Sequence, residues 1–243
     1  MTKKTMTTAP IKWVCAIDPG LASLGAAILR IQGIYIDVVR TVTIHTSPTQ
    51  GMLDRAYTLV RGVSEIVSHC MFRYGAENFH IAYEEFYGGR SAMVGWQRGY
   101  VDHAFHQHIL QSHAAALDEV TKSWWEIHPS VHLKWFHPRG RAIKEKGSDG
   151  RKLTKAEETI RHMKVLNIKP DDPLIKNVKR GDREHVLDAI AIGKALAYSI
   201  CMDFDTGTPK CDLKPHQIKI VKSLQDKYPG LAEIARQHTL ELR

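Results

Sequence analysis

Paired cysteines are missing from this 243-residue chain: Cys15, Cys70, Cys201 and Cys211 lie far apart, with no CxxC among them. The spacing indicates neither a zinc ribbon nor a disulfide framework, and it fits a reduced, intracellular chain. Long apolar runs are also missing, since none approaches the roughly 20 residues that span a bilayer. No membrane segment or membrane partner is therefore predicted. Residues 1–10 are rich in Thr and Lys and have no apolar h-region, which predicts a disordered leader in place of a signal peptide. No internal repeat is visible. Nor is there an acidic surplus, because 34 Lys and Arg stand against 26 Asp and Glu, a formal net charge of +8. That sign favours a polyanionic partner without identifying one.

What is present has ordinary globular composition, 43% hydrophobic and 25% charged, enough for one domain with a substantial core, alone or with an appendage. Trp13 to Ile17 is a short apolar run punctuated by Pro19-Gly20, and it ends on Asp18. Leu24 to Ile31 and Ile34 to Ile44 supply two more strands, with Gln32-Gly33 as the hairpin turn between them. Apolar residues at helical spacing from Thr49 to Tyr74 predict a helix that crosses back over the sheet and stops at Gly75. Asn78 to Phe86 then reads as a central strand that runs into Glu84 and Glu85.

Ser91 to Asp118 predicts a long helix capped by Ser91. Ser130 to Phe136 alternates and predicts another strand. Pro138 to Lys155 is basic and poor in apolar residues, with Arg139, Arg141, Lys144, Lys146, Arg151, Lys152 and Lys155 around Gly147 and Gly150; it reads as a loop. Thr154 and Glu157 have capping-box spacing at the head of a helix reaching Leu166. Asp182 to Ile200 has the broad apolar face of a helix that packs on a sheet. Residues 203–243 read as a linker followed by a small helical appendage broken at Pro229-Gly230.

Asp18 has two readings at this point: an Asp that starts a turn before Pro, or a carboxylate held at the mouth of a sheet for chemistry. Asp188 also has two. It lies in the apolar run Val186 to Ile192, where an ionised carboxylate costs several kcal/mol unless it is paired or bound to a cation. His185 stands three residues before it, on the same helical face. Asp18, Glu84, His185 and Asp188 together fit a site for Mg²⁺ or Mn²⁺, because hard carboxylate oxygens suit these ions and like charges repel without them. Two such ions can activate water against a phosphodiester.

The ordered series AIDPG, IAYEEFY, GWQRGYVDHAF, KAEETIRHM and HVLDAIAIGKA resembles the RuvC family of Holliday-junction resolvases, within the RNase H-like nuclease superfamily. The resemblance runs from about Lys12 to about Ile200. It implies an α/β fold, an RNase H-like mixed β-sheet flanked by helices, with a nuclease domain over 11–202; the helical extension over 203–243 is the main departure from a minimal resolvase. It implies a crossover junction endodeoxyribonuclease that uses two Mg²⁺ ions, with Mn²⁺ as a substitute, and acts as a homodimer on four-way junctions. By position, Asp18, Glu84 and Asp188 are the implied metal-binding carboxylates. His185 occupies a place where relatives carry an acid or a histidine.

Glu84 matches better than Glu85, since it shares the face of Ala82, although a bulge would reverse the choice. Tyr87 falls where the family places an aromatic that stacks on an unpaired base; it also reads as an ordinary half-buried Tyr beside a Gly-Gly turn. Arg90 and Arg98 are candidate DNA-backbone contacts, and Trp96 reads as core. Arg141, Lys144, Lys152 and Lys155 are candidate phosphate contacts in the basic loop. His103, His106, His108 and His113 scatter around the long helix, which favours a structural or dimer-interface role over zinc. Other branched DNA, RNA-DNA hybrids, or junction binding without cleavage remain alternative functions. A bacterial or phage-infected cytoplasm is the implied setting ahead of an organelle, and the extension is a candidate contact for a replication or packaging partner.

Overall fold

The computed structural model describes residues 10–20, 22–85, 99, 103, 104, 107, 123–137, 153–204 and 212–242. Five strands form one mixed sheet: β1 (Ile11–Asp18), β2 (Ser23–Gln32), β3 (Tyr35–His45), β4 (Phe79–Glu84) and β5 (Trp124–Ile127). Their order is β3-β2-β1-β4-β5, and β2 alone runs against the others. This is the RNase H-like arrangement that the sequence implies. The hairpin between β2 and β3 turns on Gly33-Ile34, one residue later than expected. Gly33 has a φ of 62°, which fits the first central position of a type II′ turn and explains a glycine there.

Alternation along the central strands sends side chains to two cores. Cys15, Ile17, Leu24, Ala26, Ile28, Ile81 and Tyr83 pack under α1 (Met52–Tyr74), while Val14, Ala16, Ala27, Leu29 and Ala82 face the other side. That second face is covered by α5 (Arg183–Cys201), whose buried Val186, Leu187, Ile190, Ile192 and Leu196 fill it. Each such aliphatic side chain contributes roughly 1.5–3 kcal/mol when fully buried. Gly193 lets the helix lie close, since a Cβ there would stand 2.4 Å from Leu29 Cδ1 and 2.9 Å from Ala16 Cβ.

The strand expected over Ser130 to Phe136 is instead a helix, α2 (Ser130–Phe136). Val131, Leu133 and Trp135 alternate as a strand would, but the buried set is Val131, Trp135 and Phe136, at helical spacing. His128 Nδ1 accepts from the Ser130 backbone N–H at 3.1 Å, helping to start the helix. The strand lies upstream, as β5.

Further on, α3 (Lys155–Leu166) opens with the expected capping box, Glu157 N donating to Thr154 Oγ1 at 3.3 Å and Thr154 N to Glu157 Oε2 at 2.8 Å. A short α4 (Pro173–Lys176) leads toward α5. The C-terminal α6 (Pro215–Lys227) and α7 (Pro229–Glu241) pack on α5 and add Val221, Leu224 and Leu231 to its core. Gln225 Nε2 donates to the carbonyls of Ser199 and Met202 at 2.9 and 2.8 Å, satisfying the end of α5. His238 Nε2 lies 2.8 Å from the Gly33 carbonyl. Among the described residues, no helix is long and apolar enough to cross a membrane.

His80 on β4 gives the fold a pH dependence. Burial, reinforced by the charge of Lys12, lowers its pKa from 6.5 to about 4. The unfolded chain takes up this proton near 6.5 and the folded chain only near 4, so stability falls as pH drops across that window and this group costs nothing more below it. His80→Leu is expected to remove this loss, on the order of 3 kcal/mol at pH 4. Thermal unfolding across the window checks it: the variant's melting temperature should fall less steeply with pH than that of the unmodified chain.

Candidate active site

At the C-terminal end of the parallel strands, β1 delivers Asp18 and β4 delivers Glu84 onto the face covered by α5. Both follow from register, since Val14, Ala16 and Asp18 alternate to one side and Ala82 and Glu84 do the same on the neighbouring strand. The first turns of α5 bring His185 and Asp188 over them. This approach is possible because Gly25, opposite Asp18 on β2, has no side chain: a Cβ there would stand 2.4 Å from the carbonyl carbon and oxygen of His185. Gly20 makes room for the imidazole in the same way, with a built Cβ only 2.8 Å from His185 Cε1.

His185 Nδ1 and Asp18 Oδ2 are 2.7 Å apart. The Asp18 hydrogen bond raises the His185 pKa against the effect of burial. Burial pushes the Asp18 carboxyl up, but hydrogen bonds with His185 and Glu84 and the nearby imidazoles outweigh it and hold the group below its ordinary value. Asp188 goes the other way: burial first, then the negative charge of Asp18, raise its pKa well above the usual carboxylate range. The site therefore holds acids that cannot all ionise together without added positive charge.

Two groups that the sequence did not single out complete the cleft. His132, from α2, stands between two of the acids, with Nδ1 3.7 Å from Glu84 Oε1 and Nε2 4.0 Å from Asp188 Oδ2. Its side chain is 12% exposed, against 13% for both Glu84 and Asp188. Reading α2 as a strand hid it, and no motif marks it. Glu184 pairs with Lys155 across 2.5 Å, and that contact raises the lysine's pKa. Lys155, expected to contact phosphate, thus lies beside the acid cluster with its side chain 70% exposed. Glu85 turns away, with Oε2 3.4 Å from Lys227 Nζ on α6.

The candidate positions Tyr87, Arg90, Arg98, Arg141, Lys144 and Lys152 lie outside the described residues, as do His106, His108 and His113. His103 is described and exposed. Among the described residues, no three His, Cys, Asp or Glu side chains already converge on one ion's position. The donor set nevertheless fits a divalent cation: it is rich in carboxylate oxygen, short of positive charge, and includes a buried His132 Nδ1 with no hydrogen-bond partner. Closing on an ion would require the 2.7 Å contact between Asp18 and His185 to loosen or be shared.

No family model and no curated protein matches the chain. Among solved structures it is similar to RuvC from Thermus thermophilus, at 20% identity over 77% of this chain and 95% of that chain, with a TM-score of 0.47. RuvC from T. thermophilus in complex with a Holliday junction substrate gives 19% identity, 77% and 94% coverage and the same TM-score of 0.47. A weaker likeness, 16% identical with a TM-score of 0.35, links 57% of this chain with 43% of the PPX-GPPA enzyme of Aquifex aeolicus.

Proposed function

We propose that this chain is a cation-dependent endonuclease that resolves four-way DNA junctions by paired, symmetric nicks. The observation that carries the reading is the meeting of Asp18, Glu84 and Asp188 with His185 at one end of the sheet, three acids from three elements in a cleft that leaves them little water. Asp18, Glu84, Asp188 and His185 would hold two Mg²⁺ ions, or Mn²⁺ in their place. When bound, the ions supply Lewis-acid neutralisation of phosphate charge and lower the pKa of water.

The chain's own part is to position and to move a proton. Asp18 accepts the His185 Nδ1–H and fixes that tautomer, which leaves Nε2 to serve either as a ligand of one ion or as the group that orients the attacking water. Asp18, held ionised by His185, keeps negative charge in the cleft and so selects for cations over bare phosphate. Lys155, and with it Arg90, Arg98, Arg141, Lys144 and Lys152, would meet the DNA backbone, in keeping with the +8 charge. Tyr87, three residues after Glu84, would stack on a base at the crossing point. A homodimer would place two such clefts for symmetric cuts, and the outer surface of α6 and α7 would offer a contact for a replication or packaging partner in a bacterial or phage-infected cytoplasm.

A substrate panel tests this reading. With Mg²⁺, a labelled synthetic four-way junction is expected to be cut well ahead of linear duplex, flap and RNA-DNA hybrid, leaving 5′-phosphate and 3′-hydroxyl ends. Cutting of the hybrid with the junction left intact would move the proposal to another nuclease class. Tyr87→Ala should lose activity on fully paired junctions much more than on junctions already open at the centre, since stacking contributes roughly 1–3 kcal/mol per base. Equal losses on both would make Tyr87 a packing residue.

A further inference from the structure

We infer that His132 is a nitrogen ligand of the cation site, binding through Nδ1 beside Glu84, and that it biases the site toward Mn²⁺ over Mg²⁺. The inference rests on the cleft being a cation site. Its separations of 3.7 Å to Glu84 and 4.0 Å to Asp188 are too long for hydrogen bonds. The first, from Nδ1, suits two ligands of one ion; the second is made by the other ring nitrogen, Nε2, which would not share that ion. Donors about 2.0–2.2 Å from a metal stand about 3 Å apart when adjacent and no more than about 4.4 Å apart when opposite.

His132 Nδ1 is also fully shielded from solvent and has no hydrogen-bond partner among the described residues. Leaving a buried nitrogen without a partner is unfavourable, and a bound cation would offset that cost. Other histidines around α2 are placed differently: His128 Nδ1 meets Ser130 Oγ at 2.9 Å, and His216 Nε2 meets the Trp135 carbonyl at 3.3 Å. Imidazole nitrogen favours transition ions, whereas Mg²⁺ is held by oxygen and keeps its waters.

The test is calorimetry of Mn²⁺ and Mg²⁺ binding to the full chain, to His132→Ala and to His132→Asn, each also melted without metal. Pulsed EPR of the Mn²⁺-loaded proteins accompanies it. His132→Ala is expected to lose about 10- to 100-fold in Mn²⁺ affinity, far less in Mg²⁺ affinity, and one nitrogen coupling from the EPR spectrum. His132→Asn, which sets an amide oxygen close to where Nδ1 stood, should keep Mg²⁺ binding while the preference for Mn²⁺ stays lost. An unchanged Mn²⁺ to Mg²⁺ affinity ratio in either folded variant, or unchanged nitrogen coupling, would overturn the assignment. Junction cleavage by the unmodified chain with that ratio unchanged would sink this inference alone; nitrogen ligation with no junction cleavage would sink the nuclease reading alone.

Discussion

Asp18→Asn is expected to lower junction cleavage by about 10³-fold or more while junction binding stays equal or becomes tighter. Asp18 is held below its ordinary pKa, chiefly by the hydrogen bond with His185 at 2.7 Å. The amide keeps the shape but removes a cation ligand and the acceptor charge that fixes the His185 tautomer. Cation chemistry supplies several kcal/mol of transition-state stabilisation, and about 1.4 kcal/mol is tenfold in rate. Binding should not suffer, because a repulsive charge facing DNA phosphates has gone. Single-turnover cleavage and electrophoretic binding on the same junction check the two halves, and normal cutting by the variant would show the site to be misassigned.

Gly25→Ala is expected to damage both stability and activity, although residue 25 carries no chemistry. The added Cβ would stand 2.4 Å from the His185 carbonyl carbon and oxygen and 2.7 Å from the Val186 nitrogen. These are backbone atoms, so no side chain can swing aside, and the first turn of α5 must lift from β2. Overpacking of this kind costs about 1–3 kcal/mol, or roughly 2–10 °C in melting temperature for a chain of this size. His185 and Asp188 ride on that turn, and a displacement of about 1 Å costs on the order of 10²-fold in rate. Gly230→Ala is the control, since its Cβ would meet Trp125 at an ordinary 3.5 Å. Unchanged melting and cleavage in Gly25→Ala would mean that α5 does not depend on this close approach.

The sequence was most legible where one physical signal ruled. Asp18 and Glu84 each end an apolar strand, so alternation with Ala16 and Ala82 told which face they join. The wide apolar face of α5, the Thr154–Glu157 box and the break at Pro229 were equally direct. It was least legible around α2. Over seven residues, Val131-Leu133-Trp135 satisfies a period of two while Val131-Trp135-Phe136 satisfies a helix, and length does not arbitrate. That ambiguity concealed His132, because a histidine's value as a ligand depends on which acids the fold sets beside it. The 2.5 Å pair of Lys155 with Glu184 was hidden for the same reason, since 29 positions separate residues 155 and 184 along the chain.

As proposed, this cation-dependent cleft cuts four-way junctions in symmetric pairs. A supercoiled plasmid that extrudes a cruciform tests it most directly, because two coordinated nicks across the junction yield linear DNA whereas independent nicks yield relaxed circles. With Mg²⁺ or Mn²⁺ the chain is expected to give linear product with cuts mapped symmetrically about the crossing point, none in chelator and none with Asp18→Asn. Relaxed circles alone, cuts away from the cruciform, or cleavage that persists in chelator would contradict it.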